Sequence, residues 1–151
     1  MEKLKFTKEI NAPAQKVWKA LWNEESYARW TESFNPNGTG SAMTSDWQVG
    51  GRTIFSDKEG NGMISTIKSM NEPTDVVFQH LGEIIKGVED TTSEKVLNWA
   101  GSLESYHLTE NNGTTTLTVQ VETLKEWEKM MTDGFGKGLE IVKEISERVD
   151  G

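Results

Sequence analysis

From Lys125 to Val149 the residues Trp127, Met131, Gly134, Phe135, Gly138, Val142, Ile145 and Val149 fall at three- and four-residue steps. From Ser41 to about Thr123 the chain instead reads as strands, with turn signals at Gly50-Gly51, 57–62, 71–75 and 110–114. A long amphipathic helix, about 37 Å at 1.5 Å per residue, therefore follows a run of strands. Tight turns between consecutive strands imply antiparallel pairing. An antiparallel sheet must cover its apolar face, and only the terminal helix is long enough to do so. The helix carries Gly134, Gly136 and Gly138 within five residues. Each interior glycine costs about 0.5–1 kcal/mol against alanine. A kink, a close neighbouring backbone or clearance for a ligand would each account for them.

The remaining segments complete the order. Leu4, Phe6, Lys8 and Ile10 alternate with Lys3, Lys5, Thr7 and Glu9, which predicts a first strand. Pro13 opens a short helix whose Ala14, Val17, Trp18 and Leu21 share one face. Asn23 can cap a second, with Glu24 and Glu25 in its first turn and Tyr27 and Trp30 three apart. Residues 33–40 read as a loop. Strands are expected at Ser41–Trp47, Arg52–Asp57, Met63–Met70, Val76–Ile85, Gly101–Thr109 and Thr115–Thr123, with an insertion at Lys86–Leu97 that has room for a helical turn. The predicted fold is α+β: a curved antiparallel sheet of about seven strands around a long C-terminal helix, with two short helices after the first strand. One domain over residues 1–151 suits the length.

Charge and composition exclude several functions. Acidic residues number 24 against 16 basic, a net charge of −8, which repels nucleic acid and anionic lipid. With no cysteine, disulfides, thiolate nucleophiles and cysteine zinc sites are absent. The first residues hold no signal-type apolar run, and no segment approaches the roughly 20 apolar residues of a membrane helix. A cytoplasmic protein with no membrane or nucleic-acid partner is expected. Six tryptophans in so short a chain suggest a thick core or a lined cavity.

This order resembles the START-like superfamily, also called SRPBCC or helix-grip. "INAPAQKVWKAL" at 10–21, "WQVGGR" at 47–52, "NEPTDVVF" at 71–78, "NGTTTLTV" at 112–119 and "DGFGKGLEIVKEI" at 133–145 are each similar to words of one branch. That branch is related to the C-terminal domain of the Hsp90 ATPase activator Aha1. The stretch from Phe78 to Leu108 looks like an uncharacterised bacterial subgroup of it. The resemblance implies the fold and, among possible partners, a chaperone. It does not imply one activity, because the superfamily includes carriers, receptors, cyclases and co-chaperone domains.

His80 shares a parity with Val76 and Phe78, so an inward Phe78 brings His80 inward, either as a core histidine bonded to a neighbour or as a site residue. Glu104, Tyr106 and Leu108 share another parity; the opposite setting, with Leu103, Ser105 and His107 inward, would put Glu104 in water. An inward Glu104 needs a partner, with His80, Arg52 or a ligand group available. His80, Glu104 and Tyr106 are the candidate acid–base residues. No nucleophile or substrate is fixed, so the chain reads as a binder, with an enzyme using the His80/Glu104 pair and an Hsp90-type interaction module as alternatives. The expected ligand is a small apolar or amphipathic molecule lined by Trp47, Phe55, Phe78, His80, Tyr106, Met131, Phe135 and Leu139. No cofactor or metal is expected: His80 and His107 lie on different strands, and the acidic "GVED" at 87–90 lacks calcium-loop spacing.

Overall fold

A computed structural model describes residues 1–35 and 39–148. Val149, placed in the terminal helix by its spacing, and residues 36–38 of the expected loop lie outside the described residues. The chain runs β1 (Glu2–Ile10), α1 (Ala14–Trp22), α2 (Glu24–Trp30), β2 (Ala42–Ser45), β3 (Arg52–Ser56), β4 (Gly62–Asn71) and β5 (Asp75–Ile85). It continues through β6 (Val88–Asp90), α3 (Glu94–Leu97), β7 (Leu103–Asn111), β8 (Thr114–Thr123) and α4 (Glu128–Ser146). The strands form one antiparallel sheet in the order β1-β8-β7-β5-β4-β3-β2, with β6 paired to β5 alone.

Among the described residues the sheet has eight strands, one more than expected, because the insertion at 86–97 folds back on β5. Lys86 and Gly87 both take left-handed backbone, φ 49° and 81°, the geometry of a tight hairpin turn. A lysine at the first of those positions hides that turn from a reading of composition. The same insertion supplies the helical turn α3, capped by Ser93, whose hydroxyl accepts from Val96 N at 3.3 Å. No helix among the described residues is long and apolar enough to cross a membrane.

The terminal helix lies against β1, α1 and α2. The Phe135 and Phe6 rings stack at 5.0 Å between centroids. Phe135 and Leu139 are buried, each such side chain contributing about 1.5–3 kcal/mol. The α2 cap forms as the sequence suggests, with Asn23 Oδ1 accepting from Glu25 N at 3.1 Å. Trp30 on α2 is anchored by its indole N–H donating to Leu21 O at 2.9 Å. A single-turn 3-10 helix at Glu32–Phe34, overlapping the start of the expected loop, follows α2. Ser33 Oγ donates from it to Gly134 O of α4 at 3.1 Å.

This docking explains two of the helix glycines. A Cβ at Gly138 would lie 2.7 Å from Trp30 O, and one at Gly134 would lie 2.5 Å from the Phe34 ring. Gly136 meets nothing within 4 Å. The close neighbours are α2 and the 3-10 turn. Gly136→Ala is therefore expected to raise stability by about 0.5–1 kcal/mol through helix propensity alone. Gly138→Ala should lower it by about 1–3 kcal/mol, because a carbonyl must move. Paired denaturant titrations check both signs; a stabilised Gly138→Ala protein would refute the close approach.

Candidate functional site

The inner face of the sheet carries a chain of polar side chains on three neighbouring strands. Residues paired directly across antiparallel strands share a face. Ser65 of β4 pairs with His80 of β5, and Phe78 pairs with Glu104 of β7. The register slips by one between Ile64/Gly82 and Ser65/His80, leaving Leu81 unpaired in a β-bulge. Ser65 Oγ lies 2.6 Å from His80 Nδ1. His80 Nε2 lies 3.0 Å from Glu104 Oε1, and the Tyr106 hydroxyl donates to Glu104 Oε2. An ionised carboxylate only accepts, so Nε2 carries the proton. Nδ1 then accepts from Ser65 when the imidazole is neutral and donates to it when charged.

Burial pushes the Glu104 carboxyl up, but the hydrogen bond and charge of His80, with the Tyr106 hydroxyl, outweigh it and hold the group below the usual carboxylate range. Burial, reinforced by the Glu104 charge, pushes both Tyr27 and Tyr106 well above an ordinary phenol. Both tyrosines are therefore neutral hydroxyls at physiological pH.

Serine, histidine and glutamate in this order invite comparison with a hydrolytic triad. The exposure runs the wrong way. Ser65 is 1% exposed and does not border open space, whereas Glu104 does. Here the serine orients the imidazole and the carboxylate meets the pocket.

That pocket has a volume of about 330 Å³ and lies between the sheet, α2, the 3-10 turn and the first half of α4. Tyr27, Trp30, Phe34, Phe55, Tyr106 and Phe135 form its aromatic wall, with Met130 and Met131 from α4. Of the eight liners expected from the sequence, Phe55, His80, Tyr106, Met131 and Phe135 border it. Trp47, Phe78 and Leu139 do not, and that expectation is corrected. Trp47 sits at φ 56°, with its ring against Trp18 at 6.2 Å and Trp22 at 5.7 Å. Phe78 is enclosed between Trp22 at 5.4 Å and Phe55 at 5.3 Å. Leu139 is buried in the main core. Rings thus fill one part of the hollow and leave the other open.

Arg52, a possible partner for Glu104, instead pairs with Glu89 at 2.6 Å on the surface. His107 faces out and pairs with Asp75. Asp90 of the acidic "GVED" stretch accepts from Thr92 N at 3.1 Å and Ser93 N at 3.0 Å. No three His, Cys, Asp or Glu side chains gather as a metal site requires among the described residues. Sequence reasoning missed Ser65, Tyr27, Trp30 and Phe34 as site residues. The parity of Ser65 with Ile67 was a usable signal. Nothing local placed α2 and the 3-10 turn over the sheet.

A long helix laid across a curved antiparallel sheet, with a pocket between them, defines a helix-grip domain of the START-like, or SRPBCC, class. The chain belongs to the family of activator of Hsp90 ATPase homolog 1-like proteins, whose family model matches residues 11–147. Its fold is shared with the Aha1 dimer of Colwellia psychrerythraea, at TM-score 0.71 and 16% identity over 100% of both chains. A protein of Cytophaga hutchinsonii gives 0.68 at 19% identity over 97% of this chain and 94% of its own. One from Nitrosomonas europaea gives 0.66 at 17% identity over 96% and 94%. At these identities the likeness is one of fold. Among curated proteins there is no match.

Proposed function

We propose that this protein binds a small apolar or amphipathic molecule in the pocket between sheet and terminal helix. One observation carries the reading: an aromatic-walled space of about 330 Å³ borders the hydrogen-bonded group of His80, Glu104 and Tyr106, with further polar liners such as Asn35, Ser41 and Asn61. Pockets that hold small molecules have this make-up, with apolar walls for affinity and a few fixed polar groups for orientation. Met130 and Met131 suit a varied apolar shape. A cytoplasmic location belongs to the same proposal, supported by the lack of cysteine.

Mass spectrometry of small molecules released from protein purified from its own host tests the reading. A stoichiometric companion supports it, and consistently empty protein opposes it. Met131→Trp, which pushes a larger ring into the pocket, should weaken uptake of any such companion about tenfold or more, some 1.4 kcal/mol. Undiminished uptake would place the ligand elsewhere.

Family membership favours a second reading, a chaperone-linked interaction module. It predicts capture of Hsp90 in a pull-down or a faster Hsp90 ATPase; neither effect would leave it without support. An enzyme using His80 and Glu104 is a third reading, favoured by their 3.0 Å contact. Ser65, closed off behind the imidazole, is not placed to serve it as nucleophile.

A further inference from the structure

The charges around the pocket are one-sided. Among the described residues the acidic liners are Asp57, whose Oδ1 accepts from Glu59 N and Asn61 N within its own turn, and Glu104, and no lysine or arginine borders the pocket. The one basic side chain there among the described residues is His80, which spends its Nε2 proton on Glu104. A carboxylate has about four lone-pair sites. Glu104 accepts once at each oxygen, from His80 and from Tyr106, and keeps 19% of its side chain open. It therefore has acceptor capacity left on the side of the pocket. Tyr27, whose hydroxyl has no partner among the described residues, feels the charge of Glu104 directly. The pocket that Glu104 borders is walled by Tyr27, Trp30, Phe55 and Tyr106. Aromatic faces attract cations, Trp and Tyr most strongly, and more so where water is excluded.

We infer that the pocket selects an amphipathic organic cation, with a protonated amine or quaternary ammonium head at Glu104 among the aromatic rings and an apolar body along Phe34, Phe135 and Met131. The inference rests on the proposed ligand-binding function and names its ligand class. A carboxylate or phosphate head would meet the Glu104 carboxylate with no lysine or arginine among the described liners to offset it. A neutral head would leave the residual acceptor capacity of Glu104 to hydrogen bonds alone. Only a cation meets both the part-buried anion and the aromatic wall.

Three probes of one shape test it: 3-phenylpropylamine, 3-phenylpropanol and 3-phenylpropionate, titrated calorimetrically into the unaltered protein. The amine is expected to bind about tenfold or more tightly than the alcohol, and the carboxylate weakest of all. Glu104→Gln, checked for an intact thermal transition, should remove the advantage of the amine over the alcohol. If that variant does not fold, the ranking on the unaltered protein still decides. Alcohol or carboxylate binding as tightly as amine overturns cation selection and leaves the binding function standing. Binding of none of the three overturns the inference too; recovery of a neutral or anionic native companion then preserves the function without the cation.

Discussion

Replacing Phe78 with alanine is expected to lower the unfolding free energy by about 3–5 kcal/mol. Phe78 is fully buried at the meeting point of four rings, those of Trp22, Phe55, Trp47 and Tyr106, at 5.4, 5.3, 6.4 and 6.3 Å. Removing the ring forfeits its burial and its edge-to-face contacts and leaves a void whose walls are themselves pinned by packing. For a domain of this size the midpoint of thermal unfolding should fall by on the order of 10 °C. Urea titration with an unchanged slope would assign the loss to the native core. A loss below about 1 kcal/mol would mean that the rings collapse into the space, and that this part of the hollow is softer than its packing implies.

Removing Glu104 should come next in size. Glu104→Ala leaves the His80 Nε2–H and the Tyr106 hydroxyl without their acceptor, at a cost of about 3 kcal/mol near neutral pH. That figure sits at the low end for a buried pair because part of the side chain meets the pocket. The pH dependence has a definite sign. Glu104 ionises more readily in the folded protein than in the unfolded chain. Its contribution is therefore full above the unfolded carboxylate pKa and is lost as pH falls through the lower, folded value. The stability gap between parent and variant should be level near neutrality and close in acid. Denaturant titrations across that range check it; a gap that persists or widens in acid would mean that the carboxylate is not the group bearing the load.

The parts of this molecule that were legible beforehand are those governed by short-range periodicity. Spacing alone placed α4 and set Gly134 and Gly138 on its rows, while docking against α2 supplied the reason for them. Parity with Phe78 carried His80 inward. Of the two settings open to β7, the buried Tyr106 and Leu108 identify the one with Glu104 inward. What escaped depends on events that periodicity does not encode. Trp47 leaves its strand because its backbone turns left-handed, so its ring joins the packed cluster instead of bordering the pocket. The strand β6 hangs on two left-handed residues, Lys86 and Gly87. The walls given by Tyr27, Trp30 and Phe34 arise from elements far from the sheet in sequence, brought over it only by tertiary packing.

The bulge at Leu81 has an architectural result. In an unbroken strand His80 and Gly82 would look the same way; with one residue unpaired between them, His80 joins Ser65 while Gly82 joins Ile64 on the reverse side. There the absence of a side chain lets the following segment pass, for a Cβ on Gly82 would stand 2.4 Å from Asp90 O. The strand thus serves two customers in succession, the interior up to the imidazole and the outlying hairpin beyond it. Lengthening or trimming that hairpin is a change made downstream of the switch. Such edits can remodel the exterior of the domain while the imidazole keeps its neighbours.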